Sequence, residues 1–182
     1  MSDALALVEL SSIARGHRVA DAMLKRAPVA LLRADWVSPG KFLVLIEGEV
    51  AAVEEAFRAG VEVGGDRIVD RLFLAQPHAA LWGALAGETN ATAEIESLGV
   101  VETTTVAATL LGADAAAKAA EVRLVELQLA RGIGGKAFFT MTGALADIEA
   151  AVEAAVGILD GALLHATEII AAPHADLAGK LR

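Results

Sequence analysis

The same order of residues occurs twice along this chain. Three pairs of matching segments carry the repeat: Asp21-Ala22-Met23-Leu24-Lys25 with Asp114-Ala115-Ala116-Ala117-Lys118, Gly40-Lys41 with Gly135-Lys136, and Pro77-His78-Ala79 with Pro173-His174-Ala175. Their separation grows from 93 through 95 to 96 residues along the chain, which is too long for a solenoid repeat of about 20 to 50 residues. The sequence therefore predicts one domain that has been duplicated, with small loop insertions in the second copy.

Composition limits the function of the two copies. Of the 182 residues, 55% are hydrophobic and 4% are aromatic, which supplies two small aliphatic cores. The net charge of −9 offers no basic stripe for nucleic acid. There is no cysteine for disulfides or thiolate-held metals, which fits a reducing compartment. We read neither a signal peptide nor an apolar run of about 18 residues that could span a bilayer, and so expect a cytoplasmic protein without a membrane partner.

Hydrophobic periodicity predicts the elements of each copy. In the first, a strand over Leu5–Glu9 precedes a helix over Ile13–Arg26, and hydroxyl residues between them can cap the helix. A hairpin, an amphipathic helix over Val50–Glu62 and a last strand over Ile68–Leu74 follow, and Pro77 is placed to open a short helix. The second copy repeats this order. The predicted fold class is α+β: two tandem ferredoxin-like βαββαβ(α) domains, each an antiparallel sheet with helices on one face.

The repeats also predict the domain organisation. The first domain is expected over residues 1–86 and the second over residues 97–182. Residues 87–96 are small and polar without a period, so we interpret them as the linker.

No residue pattern indicates catalysis or a resident metal. The four histidines lack metalloprotease spacing, and we expect them at helix starts and on the surface. There is no nucleophile elbow and no cysteine. Glu9 and Glu102 end equivalent strands, which favours a structural hydrogen bond repeated by the duplication over a catalytic pair. We therefore predict no catalytic residues, no metal site and no cofactor.

The repeated motifs together resemble those of bacterial microcompartment shell proteins of the tandem-domain class. The resemblance rests on the Asp-x-x-x-Lys helices, the Gly-Lys turns, the Gly48-Glu49-Val50 step into a helix and the Pro-His segments. Within the class, Pro39-Gly40-Lys41-Phe42 and Gly132-Ile133-Gly134-Gly135-Lys136 are most similar to the iron–sulfur shell proteins of propanediol-utilisation compartments. The resemblance implies a trimer that forms a six-domain pseudohexameric tile with a pore on its threefold axis.

The implied pore residues fall on two turns. They are Val37, Ser38, Pro39, Gly132, Ile133 and Gly134. In the cluster-bearing relatives the position of Ser38 is a cysteine, and a serine hydroxyl is a poor ligand for iron, so we expect a polar opening without a cluster. The alternative for Ser38-Pro39-Gly40 is an ordinary hairpin turn.

The resemblance also implies contacts between neighbouring tiles. The expected edge residues are Asp21, Lys25, Asp114, Lys118, Pro77, His78, Pro173 and His174. The alternative for each Asp-x-x-x-Lys is a solvated i,i+4 ion pair worth a few tenths of a kcal/mol.

The function expected from the sequence is structural, not enzymatic. The chain is expected in the shell of a bacterial microcompartment in the cytoplasm, as a homotrimer that assembles with hexameric and pentameric shell proteins. Small polar metabolites would pass its pore by diffusion. The alternative is a trimeric ferredoxin-like regulatory protein that binds a small molecule, because fold does not fix function.

Overall fold

The computed structural model describes residues 3–87 and 95–181. Most of the predicted linker, residues 88–94, lies outside these described residues.

The first repeat folds into a four-stranded antiparallel sheet with helices. Its elements are β1 (Ala4–Leu10), α1 (Ile13–Arg26), β2 (Ala30–Val37), β3 (Lys41–Gly48), α2 (Val50–Gly64), a 3₁₀ turn (Gly65–Arg67), β4 (Ile68–Ala75) and α3 (Ala79–Leu85). The strand order is β2-β3-β1-β4, so β1 lies between β3 and β4 and is antiparallel to both.

The second repeat has the same elements in the same order. They are β5 (Ser97–Thr103), α4 (Val106–Ala119), β6 (Arg123–Gln128), β7 (Ala137–Gly143), α5 (Leu145–Ile158), β8 (Leu164–Ala171) and α6 (Ala175–Ala178). The sheet order β6-β7-β5-β8 matches that of the first repeat. The predicted fold class is confirmed.

Side-chain caps start the helices where the sequence places polar residues. The Ser12 hydroxyl accepts a hydrogen bond from the Arg15 N–H at 3.3 Å, and Thr105 does the same for the Ala108 N–H at 3.2 Å. Such caps satisfy amide groups that have no partner within the helix.

The short helices α3 and α6 begin one step later than the prolines suggested. His78 and His174 are the capping residues, and each ring Nδ1 accepts an N–H at 3.2 Å. The prolines precede the caps, and the helices begin at Ala79 and Ala175.

The core of the first repeat forms between the sheet and its two long helices. Alternate residues of β1 and β3 share this face with apolar residues of α1 and α2. The fully buried members are Ala4, Ala6, Val8, Leu10, Val19, Met23, Val44, Ile46, Val53 and Ala56. The other residues of β1 are buried as well, so this central strand is covered on both faces.

The chain forms two compact units that do not follow the repeats throughout. One unit contains the described residues up to Pro77 together with Ala130–Gly135, and the other contains His78–Leu129 with the described residues from Lys136 onward. Helix α3, from the first repeat, thus belongs to the second unit. The loop before β7, from the second repeat, belongs to the first unit.

Within the described residues, no helix combines the length and apolar character needed to cross a membrane.

A close approach between α1 and β3 provides the first prediction. A Cβ atom on Gly16 would lie 2.2 Å from Phe42 Cδ1, whereas one on Gly112 of α4 would lie 3.4 Å from the nearest atom, Phe139 Cε1. We expect Gly16→Ala to lower the free energy of unfolding by about 1–3 kcal/mol through overpacking. Gly112→Ala should be neutral or stabilising by up to about 1 kcal/mol, since alanine favours a helix. Urea unfolding measures both, and equal effects would contradict the packing.

Candidate functional site

The first implied pore segment is the turn between β2 and β3. Val37 ends β2 with 2% of its surface exposed, and its carbonyl accepts the N–H of Gly40 at 2.9 Å. Gly40 has a φ of +108°, which favours glycine. Ser38 is half-buried and Pro39 is exposed, so both residues are accessible from the surface of the turn.

The second implied pore segment belongs to the same compact unit. Residues 130–135 change direction through several positive φ angles, including those of Gly132 (+77°), Gly134 (+68°) and Gly135 (+86°). A Cβ on Gly135 would lie 2.8 Å from Pro39 Cδ and 3.3 Å from the Ser38 carbonyl oxygen. The structure therefore brings the two segments into contact, and glycine is required where they meet.

A buried ion pair ties this pair of loops to the sheet. Lys41 Nζ donates to Glu9 Oε1 at 2.7 Å and to the Gly135 carbonyl at 3.2 Å. The Glu9 side chain is completely buried and that of Lys41 is 18% exposed. An ammonium and a carboxylate attract more strongly away from water, so the ion pair with Glu9 fixes the position of Lys41 Nζ. The same Nζ donates to the Gly135 carbonyl and thereby holds the Gly135 loop against β3.

The second repeat has the equivalent ion pair, but with greater exposure to solvent. Lys136 pairs with Glu102, whose side chain is 29% exposed, and His165 Nε2 lies 3.9 Å from the same carboxylate oxygen. The repeated contact expected of Glu9 and Glu102 is present in both copies as an ion pair to a lysine, and these partners, Lys41 and Lys136, were not predicted. Both lysines were visible as the repeated Gly-Lys turn.

Charged side chains that lie next to the loops were not predicted as part of the site. Asp35 Oδ2 lies 2.7 Å from Arg33 and 3.6 Å from Arg131 of the second segment. The spacing of Arg33 and Asp35, two residues apart on one strand, puts them on the same face and was the available signal. Arg131 is largely exposed, so its contact contributes little stability.

Both Asp-x-x-x-Lys motifs form the i,i+4 ion pair that was the alternative to an edge contact, but the two pairs lie in unlike surroundings. Lys25 bonds Asp21 at 2.7 Å, with side chains 75% and 60% exposed. Lys118 bonds Asp114 at 2.6 Å, but the Asp114 side chain is only 6% exposed. Asp114 also accepts the backbone N–H of His78 at 2.7 Å, within the second unit.

Among residues 3–87 and 95–181, two carboxyl groups have shifted pKa values, and both lie outside the loops. Hydrogen bonding to Arg26, then its charge, lowers the pKa of Glu55 on the surface. Desolvation by burial raises the pKa of Glu126 on β6. Each shift has a structural cause, and neither carboxyl is paired with a nucleophile in the contacts described above.

The donor set does not fit an iron–sulfur cluster. Such clusters are held by cysteine thiolates, and the chain has no cysteine. In the part of the chain that the structure describes, no three His, Asp or Glu side chains converge as a metal site would require.

The chain repeats one α+β domain, an antiparallel four-stranded sheet with helices, and is therefore a tandem ferredoxin-like protein. The BMC domain family matches residues 4–77 and again 97–173. The chain therefore belongs to the BMC-domain family and carries two copies of its domain.

Known relatives agree with this membership. The bacterial microcompartment shell protein PduT of Citrobacter freundii is 43% identical over 155 residues, which cover 85% of this chain and 84% of that protein. A solved microcompartments protein from Desulfitobacterium hafniense DCB is 41% identical with a TM-score of 0.86, covering 96% of this chain and 97% of its own. The carboxysome shell protein CsoS1 of Prochlorococcus marinus is 36% identical and matches 47% of this chain with 85% of its own length.

The unequal burial of the two ion pairs generates the second prediction. We expect Lys41→Met to lower the free energy of unfolding by about 3 kcal/mol, because it takes the ammonium partner from a buried carboxylate. The matched Lys136→Met should cost less than about 1 kcal/mol, since Glu102 and Lys136 remain accessible to water. Urea titration at neutral pH compares them. Equal losses would show that burial of Glu9 does not set the strength of the contact.

Proposed function

We propose that this protein is a non-enzymatic tile of a bacterial microcompartment shell. In the proposal, three chains form a pseudohexamer whose six domains pack edge to edge with other shell proteins. The observation that carries it is the presence of two BMC domains in one chain with a shell-protein relative along most of its length. CsoS1 matches about half of this chain with 85% of its own length. One chain of this protein would therefore supply as many domains to a tile as two chains of the CsoS1 kind.

The proposal places a pore at the contact between the two glycine-containing loops. Val37, Ser38 and Pro39 lie in one loop and Gly132, Ile133 and Gly134 in the other, and Gly135 joins them. Three copies would surround a threefold axis with serine hydroxyls and backbone polar groups. Such a lining suits the passive diffusion of small polar metabolites and requires no catalytic residue.

The same proposal assigns Lys25 to the tile edge. Its side chain is largely exposed, and its ion pair with Asp21 is worth little on a solvated surface, so it is available for another contact. Many such weak contacts, repeated along each edge, give a lattice its strength. Asp21, Lys118, Pro77, His78, Pro173 and His174 were expected at the same edges and are part of this proposal. Asp114, also expected there, is almost fully buried in the single chain, so the proposal gives it the role of holding Lys118 and His78 from within.

The regulatory alternative is not favoured, because the relatives reported above are shell or microcompartment proteins. Saturable binding of a small molecule by a trimer that forms no arrays would return attention to it.

The proposed assembly predicts the mass and behaviour of the purified chain. We expect a trimer of three 18.7 kDa chains and hexagonally ordered sheets or closed shells, alone or with shell partners, at low salt. Lys25→Glu should abolish the sheets and leave the trimer, because it replaces a positive charge at the proposed edge with a second negative charge beside Asp21. Light scattering and electron microscopy provide the measurements.

A matched reversal on α2 serves as the control for the edge. Arg58 is 67% exposed and also pairs within its own helix, so Arg58→Glu should leave the sheets intact. Lys118→Glu is unsuited to this purpose because it would face the buried Asp114. A monomeric chain, or a trimer that never forms arrays with shell partners, would contradict the proposal.

A pore at Ser38 predicts proximity between chains. The cysteine-free sequence allows Ser38→Cys to carry a single thiol. A short bifunctional thiol crosslinker should join two chains of the Ser38→Cys trimer, because the three thiols would meet near the threefold axis. Glu49→Cys, at an exposed position beyond the opposite end of β3 from the turn, is the control and should stay uncrosslinked. Denaturing electrophoresis gives the readout; a trimer with equal crosslinking at both sites would contradict the pore position.

A further inference from the structure

Three arginine side chains line one cleft beside the start of α1. The cleft has a volume of about 450 Å³ and is bounded by Ser12, Ala14, Arg15, Arg18 and Arg67. Arg15 and Arg18 are three residues apart on α1 and therefore lie on the same face of the helix. Arg67 comes from the 3₁₀ turn before β4. Two elements of the first unit thus bring three positive charges together in a chain whose net charge is −9.

Hydrogen bonds to backbone carbonyls fix both sides of this cleft. The N–H and the hydroxyl of Ser11 donate to the Arg67 carbonyl oxygen at 2.8 and 3.1 Å, which holds the 3₁₀ turn against the start of α1. Arg15 Nη1 donates to the Val63 carbonyl oxygen of α2 at 2.7 Å, and a guanidinium has further N–H donors for a second partner. These contacts position Arg15 and the turn that carries Arg67, and they leave both positive charges unneutralised.

The cleft arginines lack the close carboxylate partners that other arginines of the first unit have. Arg26 and Arg58 each lie within 2.6 Å of a carboxylate oxygen. Within residues 3–87 and 95–181, Arg18 forms no ion pair, and Arg67 approaches only Asp66, at 3.5 Å. The side chains of Arg67 and Asp66 are 55% and 79% exposed, so their contact is worth little. The cleft therefore presents charged donors to solvent.

The second repeat keeps the local fold of this site without its charges. The Thr104 N–H donates to the Leu163 carbonyl oxygen at 2.9 Å, as the Ser11 N–H does to that of Arg67. The counterparts of the three arginines, in chain order, are Ala108, Leu111 and Leu163. Because the same helix start and the same turn form with apolar residues in these places, the fold itself does not require the arginines.

We propose that this cleft of the first repeat binds the phosphate group of a small molecule. A guanidinium donates two parallel hydrogen bonds to phosphate oxygens and keeps its charge at physiological pH. Arg18 binds the phosphate from α1, Arg67 binds it from the turn, and Arg15 adds a third charge from its anchored position. The donors are side chains and not the amides at the start of α1, where the Ser12 hydroxyl caps the helix.

The size of the cleft indicates which molecules carry the phosphate. Its volume lies within the range of about 300 to 1,000 Å³ that is usual for small-molecule pockets, so the cleft has room for more than a phosphate ion. All of its residues lie in one unit of one chain. The inference therefore goes beyond the proposed shell function and does not depend on it.

Calorimetric titration with inorganic phosphate at constant ionic strength tests the site. We expect saturable binding of one phosphate per chain. Arg18→Gln and Arg67→Gln should each weaken the binding by about tenfold or more, since each removes charge-assisted hydrogen bonds. Both side chains are exposed, so both variants should keep the wild-type melting temperature. Arg58→Gln removes an exposed charge of α2 that does not line the cleft and should bind phosphate like the wild type.

A phosphate ester shows whether the rest of the ligand contributes. Glycerol 3-phosphate should bind the wild-type chain and be weakened by the same two substitutions, whereas glycerol should not bind. Tighter binding of the ester than of inorganic phosphate would assign the remaining space of the cleft to the organic part. Equal binding would assign the cleft to the phosphate group alone.

A carboxylate of a second chain is the competing occupant of the cleft. In that case Arg18→Gln and Arg67→Gln would weaken the trimer, and the wild-type chain would bind no phosphate. Absence of phosphate binding, or equal binding by the wild type and both variants, would overturn the inference and leave the shell tile standing. A chain that binds phosphate but never forms a trimer would overturn the tile and leave the phosphate site standing.

Discussion

The buried Glu9–Lys41 pair connects the sheet of the first unit to the loops at its end. Glu9 lies on the central strand, which is covered on both faces, and Lys41 begins the strand beside it. One ammonium group then holds both this carboxylate and the Gly135 carbonyl of the other repeat. A rigid interior therefore sets the position of two loops whose glycines would otherwise leave them free to move.

The helices and strands were predictable from local periodicity, whereas contacts between distant residues and the burial they produce were not. Helix α1 matches its predicted bounds, Ile13–Arg26, because its apolar spacing and serine cap are local properties. The contact between Pro39 and Gly135 joins residues far apart in the chain, and only the family resemblance placed their two loops, through Pro39 and Gly132 to Gly134, in one site. Asp21 and Asp114 share one local motif, yet differ tenfold in side-chain exposure, which no local pattern encodes.

Duplication explains why equal motifs acquire unequal roles. Two copies of one domain begin with the same short helix after Pro-His. Helix α3 of the first copy packs on α4 and β6 of the second copy, and a contact within one chain needs no second molecule. The apolar residues there are buried, as at Leu81 and Val125. In the single chain, the leucines Leu31 and Leu32 of β2 and Leu177 of α6 remain exposed.

This difference also separates folding from assembly. A change at Asp114 acts on a contact that forms in one molecule, so its cost is independent of protein concentration. Under the proposed assembly, a change at Asp21 or Lys25 would instead act on contacts between molecules, whose strength follows mass action. Exposed, weakly paired charges such as Lys25 would suit the reversible contacts that the proposed shell lattice requires. The same helix motif is thus a fold contact in the second copy and an exposed ion pair, available to a proposed edge contact, in the first.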